Sequence, residues 1–190
     1  MPDKHLHESC LDSASVFTGK FLQVKCDSVR LPDGSSATRE YIVHPGAVVI
    51  IPLLDAQTLV LERQFRYPVA ATMLEFPAGK LDPNESPLAC AQRELREETG
   101  YVAAEWAYAG KLHLAIAYST EVLHVYFARG LSLQQRQLDA GEFLEVYTQN
   151  IAAFLRDCDS GSISDAKTLS CAYHLQRFVL GQTTLDWQAV

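Results

Sequence analysis

Residues 47–54 read AVVIIPLL, an apolar run with no alternation. A strand with one face in water alternates apolar and polar side chains, so this run predicts a strand covered on both faces. TLVLERQF (58–65) follows after a short turn, and further strands are expected at about 104–113, 121–129 and 142–148. ATMLEFPAGKLDPNESP (71–87) is broken by Pro77, Gly79, Pro83 and Pro87, which predicts a short strand running into a loop. A helix then begins: Ser86 suits the N-cap, Pro87 the first helical position and Gly100 the C-terminal stop. Two helices are expected to close the chain, the last over about 165–180, where apolar residues recur at helical spacing. Strands and helices in this order predict an α/β fold, a sandwich around a mixed sheet.

Upstream, residues 14–43 form a separate β unit in outline. SVFTGKFLQVKCDSVRL and ATREYIVH flank LPDGSS, in which Pro32, Asp33 and Gly34 supply turn chemistry. The expected division is a β unit over 1–44 and a main domain over 45–190. With 190 residues, 48% of them hydrophobic, the chain can bury one substantial core.

Charge narrows the partners. Sixteen basic residues against 23 acidic give a net charge of -7, which argues against unspecific binding to nucleic acid or to an anionic membrane. A phosphate-bearing substrate would need local basic groups or a metal ion. No run approaches the roughly 18 apolar residues of a membrane span, and MPDKHLHESC lacks the apolar segment of a signal peptide, so a cytoplasmic location is expected. Five scattered cysteines suggest reduced thiols, with Cys90 a small buried residue of the helix.

The helix poses an electrostatic problem. Glu94, Glu97 and Glu98 project at about 0°, 300° and 40°, forming one acidic face, while Leu88, Ala91 and Leu95 form an apolar stripe beside it. Like charges at such spacing cost roughly 0.2–0.5 kcal/mol per pair and lie at the unfavourable end of the helix dipole. Either Arg93 and Arg96 balance a solvated face, or a hard divalent cation sits on the carboxylates, since Mg²⁺ prefers oxygen ligands.

Gly79, five residues, Glu85, seven residues, and then Arg93-Glu94-Leu95-Arg96-Glu97-Glu98-Thr99-Gly100-Tyr101 resembles the Nudix hydrolase signature G-x5-E-x7-R-E-U-x-E-E-x-G-U, U being bulky and apolar. Only Tyr101, where an aliphatic residue is commoner, departs from it. The resemblance implies the Nudix α/β/α sandwich and a bound Mg²⁺, with Mn²⁺ a possible substitute. It makes Glu94 and Glu98 the principal metal ligands and Glu97 an additional ligand or a water-positioning group. Arg93 would orient the carboxylates, pairing with Glu85.

Other fragments resemble the ADP-ribose pyrophosphatase and nucleoside diphosphate sugar hydrolase branch of that family. They are Arg39-Glu40, Gln64-Phe65-Arg66-Tyr67, Glu75-Phe76-Pro77-Ala78-Gly79-Lys80 and Ser164-Asp165-Ala166-Lys167-Thr168. The branch implies that the Ala78 carbonyl completes the metal shell, and that the enzyme is a homodimer assembled through its N-terminal β unit. Arg66 is the expected diphosphate contact, with Arg39 and Glu75 as further substrate contacts. Phe65 and Tyr67 could stack on a base, with core packing expected for at least one of them.

AIAYSTE (115–121) departs from the Ser-Pro-Gly-x-x-x-Glu loop common in ADP-ribose enzymes: Ile116 replaces the proline and Ala117 the glycine. Glu121 keeps the position of a catalytic base or extra ligand; Glu142, Glu145 and Asp139 are alternatives. His113 and His124 are expected to be structural. The implied function is Mg²⁺-dependent hydrolysis of ADP-ribose or a related nucleoside diphosphate sugar to a nucleoside monophosphate and a sugar phosphate. GDP-mannose and dinucleoside or NADH-type substrates are the alternatives, and a non-catalytic nucleotide-sensing module is the alternative from another class.

Overall fold

The LPDGSS turn closes a hairpin, with Gly34 at φ +87° and the Leu31 and Ser35 backbones joined across it by a 2.8 Å hydrogen bond. The structure, a computed structural model, describes residues 3–138 and 140–190 and divides into two units. The first comprises residues up to Gly46 together with His113–Val122. It contains an antiparallel sheet of β1 (Ser9–Thr18), β2 (Gln23–Arg30) and β3 (Ser36–Val43), in that order. The 113–122 segment joins this unit through the Ile42 amide, which donates to the Tyr118 carbonyl, and the Thr120 amide, which donates to the Ile42 carbonyl.

The second unit holds β4 (Ala47–Pro52), β5 (Thr58–Arg66), β6 (Ala71–Glu75), β7 (Ala78–Lys80), α1 (Pro87–Glu94), β8 (Tyr101–Leu112), β9 (Leu123–Leu133), β10 (Leu144–Asn150), α2 (Ile151–Asp159), α3 (Ala166–Val179) and β11 (Trp187–Ala189). Five strands form a mixed sheet in the order β11-β8-β9-β4-β7, parallel only between β4 and β9. A second, antiparallel sheet runs β10-β5-β6.

The apolar run behaves as its lack of alternation requires. Every residue of β4 is buried, and successive side chains enter different clusters. Val49 and Ile51 pack with Leu59 and Leu61 of β5, Phe127 of β9, Phe154 of α2 and Leu175 of α3. Val48 and Ile50 pack with Cys90 and Ala91 of α1, Leu95 and Trp106. The mixed sheet therefore carries α1 on one face, and β5, α2 and α3 on the other. Among the described residues, no helix is long and apolar enough to cross a membrane.

α1 starts as expected: the Ser86 hydroxyl accepts the Ala89 amide at 3.2 Å, and Pro87 opens the helix. It does not continue as one regular helix to Gly100. Leu95–Thr99 form a π-helical turn, closed by Gly100 at φ +78°. Such single-turn widenings are frequent at functional sites. Leu95 and Thr99 are buried here and the Thr99 hydroxyl donates to the Leu95 carbonyl, so the turn is fixed from within. Two other expectations are corrected. β8 begins at Tyr101, directly after the helix, and the chain does not close on two helices, because β11 pairs with Glu105–Ala107 of β8.

Candidate active site

Arg93 is the hub of the carboxylate cluster. Its Nε and Nη2 donate to the two oxygens of Glu85 at 2.9 Å each, a bidentate pair. Nη1 donates to Glu94 at 2.8 Å and to Glu97 at 3.1 Å, and Nη2 also reaches the Lys80 carbonyl at 3.1 Å. The expected Arg93–Glu85 pairing is thus present. Hydrogen bonding to Arg93 holds the Glu85 carboxyl down at about 2. Arg96 is half exposed and lies 3.8 Å from Glu97. Cys90 is fully buried, and burial pushes its thiol far up, which suits packing and not nucleophilic chemistry.

Gly79 brings β7 against this cluster. A Cβ added there would overlap the Glu94 carboxylate, so glycine leaves the space in which that head group sits. One residue earlier, the Ala78 amide donates to Glu98 at 3.0 Å. Glu98 is only 4% exposed, and burial raises its pKa well above the ordinary value, with Glu62, Glu94 and Glu142 adding repulsion. Burial also raises Glu94, outweighing the opposing pull of Arg93.

Glu62 is a member of the cluster that sequence reasoning missed. It sits on β5, fully buried, and apart from the neighbouring Glu98 carboxyl no donor reaches either of its oxygens. The Glu98 carboxyl stands beside it, within reach of a shared proton. Burial pushes Glu62 up to about 7, with Lys167 and Arg66 opposing and Glu75 reinforcing. A lone glutamate inside TLVLERQF was the available signal, and strand periodicity sets it apart from the core-facing Leu59 and Leu61.

Arg66 and Glu75 come together as a pair. The Arg66 Nε and Nη2 donate to Glu75 at 2.7 and 2.9 Å, so a further contact to a ligand falls to Nη1. Lys167 of α3, not singled out from the sequence, lies 3.2 Å from Glu75 and donates to the Phe76 carbonyl at 3.1 Å. Burial alone would raise Glu75; Arg66 and Lys167 outweigh it and leave it lowered. Arg66, Glu75, Ser164 and Asp165 line a cavity of about 730 Å³.

The remaining candidates are placed as follows. Arg39 and Glu121 belong to the first unit, where Arg39 pairs with Glu8 at 2.9 Å and Glu121 lies 3.7 Å from His44. Glu145 pairs with Arg63 at 3.1 Å, both well exposed. The charge of Glu142 adds to the repulsion felt by Glu94 and Glu98. Asp139 lies outside the described residues. The expectation that Phe65 or Tyr67 packs in the core is corrected: both are exposed, one near the end of β5 and the other in the turn after it. His124 lies 3.2 Å from the Tyr108 hydroxyl, and His113 is exposed.

Among the described residues, no three His, Cys, Asp or Glu side chains are already arranged around a point as a metal site. Arg93 holds Glu94 and Glu97, and the Ala78 amide holds Glu98. The side chains of that set, Glu94, Glu97 and Glu98, offer carboxylate oxygen throughout, and burial raises two of them, Glu94 and Glu98. That chemistry fits a hard cation such as Mg²⁺, which would relieve the repulsion.

The NUDIX domain model matches residues 43–161, and the nucleoside diphosphate sugar hydrolase N-terminal domain model matches residues 8–42. The chain is 35% identical over 175 residues to the ADP-ribose pyrophosphatase of Bacillus subtilis (strain 168), covering 91% of this chain and 95% of that protein. It is 32% identical over 175 residues to the methanol dehydrogenase activator of Bacillus methanolicus, with the same coverage, 91% and 95%. The crystal structure of an ADP compounds hydrolase has the same fold, with a TM-score of 0.83 at 24% identity, over 93% of this chain and 97% of that one.

Proposed function

The chain belongs to the Nudix hydrolase family, and from that premise we propose that it hydrolyses the diphosphate of ADP-ribose or a related nucleoside diphosphate sugar in a Mg²⁺-dependent reaction. The products are a nucleoside monophosphate and a sugar phosphate. The observation that carries this reading is the convergence of Glu94 and Glu98 on the Ala78–Gly79 strand, with Arg93 steering the carboxylates from behind.

Glu94, Glu98 and the Ala78 carbonyl would hold Mg²⁺, with Glu97 as an additional ligand or water-positioning group. When bound, the cation neutralises the diphosphate oxygens, polarises phosphorus and acidifies the attacking water. Arg93 keeps Glu85, Glu94 and Glu97 in fixed directions through its hydrogen bonds. Glu142 is favoured as the base, because its charge is felt by both Glu94 and Glu98 while Glu145 is tied to Arg63. As base it takes the proton of the water whose oxygen attacks phosphorus, while the bond from that phosphorus to the bridging oxygen breaks. Glu121, beside His44, is the alternative base or extra ligand. Glu75 orients Arg66 so that Nη1 can meet a diphosphate oxygen.

Exposure supports a homodimer formed through the first unit. β1 is exposed at all ten positions, and it carries Leu11, Val16 and Phe17.

The test is AMP and GMP release from ADP-ribose, GDP-mannose and a dinucleotide, with Mg²⁺ and with a chelator. Release of AMP from ADP-ribose only with Mg²⁺ is expected. A second reading, with GDP-mannose preferred, is favoured by Ile116 and Ala117 in the 115–121 segment, and faster GMP release would establish it. Binding of ADP-ribose without product would instead indicate a sensing module.

A further inference from the structure

Glu62 and Glu75 are direct cross-strand partners on β5 and β6, so their side chains leave the sheet on the same face. Two carboxylates facing each other in this way repel. Glu75 is compensated, by Arg66 through two hydrogen bonds and by Lys167 at 3.2 Å. Glu62 has no such bonded partner: it is fully buried, Lys167 and Arg66 reach it only through their charge, and apart from the neighbouring Glu98 carboxyl no donor meets its oxygens. An unpaired buried charge is among the least favourable features a fold can contain, and an apolar residue at the same position would remove the cost. Glu62 also stands beside Glu98, the most deeply buried carboxylate of the helix cluster. It comes from a strand that the helix motif does not include, and the roles proposed above make no use of it.

We propose that Glu62 belongs to the cation site, its carboxylate supplying a further negative charge as an oxygen donor to the bound divalent cation or to a water in its coordination shell. The inference rests on the reading of Glu94 and Glu98 as a metal platform. Mg²⁺ commonly keeps several waters, so a carboxylate beside Glu98 still meets the ion's field. The unpaired carboxylate and the ion then answer each other: the ion supplies the positive charge that the surrounding side chains give to Glu75 instead.

The experiment is titration of the whole metal-free protein with Mn²⁺, without substrate, followed by isothermal calorimetry, together with melting temperatures with and without Mn²⁺. Glu62→Gln is expected to weaken Mn²⁺ binding by about tenfold or more, the scale of lost outer-shell carboxylates. Its metal-free melting temperature is expected to stay equal or rise, because a buried unpaired charge is gone. Glu62→Asp, which keeps the charge one methylene short, is expected to recover part of the affinity, and it serves as the second variant should Glu62→Gln not fold. Mn²⁺ affinity within twofold of wild type in Glu62→Gln overturns the proposal. A lowered metal-free melting temperature with unchanged affinity also overturns it, making Glu62 a counter-ion of Lys167 and Arg66. Failure of the wild-type protein to bind Mn²⁺ is a separate result: it removes the metal platform itself, and this inference with it.

Discussion

Gly79 and Glu94 share one small volume: a Cβ on the glycine would overlap the glutamate's carboxylate, which Arg93 holds from the other side at 2.8 Å. In Gly79→Ala the Glu94 head must swing away, since the strand backbone is fixed by its pairing with β4. Displacing a ligand by about 1 Å can cost about a hundredfold in rate. Mg²⁺-dependent turnover is expected to fall on that scale while the melting temperature changes little, because the obstructed group is the end of a side chain. Steady-state kinetics beside a thermal melt checks this.

Replacing Glu98 by Gln keeps the shape of a side chain that is almost wholly buried and removes its charge. The variant is expected to fold and to lose turnover. Mg²⁺ is expected to raise the melting temperature of the wild-type protein by binding the native state, and that rise is expected to disappear in the variant. Undiminished activity would remove Glu98 from the metal platform.

Arg93 and Glu85 set a pH dependence. The Glu85 carboxyl is held at about 2 in the folded protein against an ordinary value of 4.5, so the unfolded chain binds more protons in that window. The pair therefore contributes its full stability above about pH 4.5, and loses it as pH falls through about 2. Glu85→Gln is expected to flatten this part of the acid unfolding curve, and Arg93→Lys, which cannot form the two-pronged pair, to do so partly. Far-ultraviolet circular dichroism across pH 2–5 measures it.

Lys167 shields a buried glutamate. Glu75 is nearly inaccessible and shares its charge between Arg66 and Lys167. Lys167→Met removes one partner, and also the donor to the Phe76 carbonyl. Breaking a buried ion pair costs about 3–5 kcal/mol, and the surviving Arg66 bond puts the expected loss near the lower figure, about 3 kcal/mol. Urea denaturation is the direct measurement.

Much of this site was legible before folding because it is local. Ser86 caps its own helix, Gly100 ends it, and Glu85 meets Arg93 across eight residues of one loop and helix. The same locality misled in one respect. Angles drawn for a regular helix do not apply through the π turn at Leu95–Thr99, where the buried Leu95 and Thr99 and the contact of Glu98 with Ala78 dictate the winding. Phe65 and Tyr67 read as core candidates because aromatic residues usually bury; Tyr67 lies in the turn beyond the β5–β6 ladder, and Phe65, though paired with Thr72 within it, is exposed.

The sequence by itself determined the double-sided burial of β4, the helix with its caps, and the identity of the motif carboxylates, since each depends on spacing within a few residues. Tertiary structure alone decided that Arg66 spends two donors on Glu75, that Lys167 reaches across 92 positions to the same carboxylate, and that Glu62 stands unpaired beside Glu98. Those relationships arise from strand register and helix packing. Both bring together residues distant in the chain, and no local periodicity encodes them.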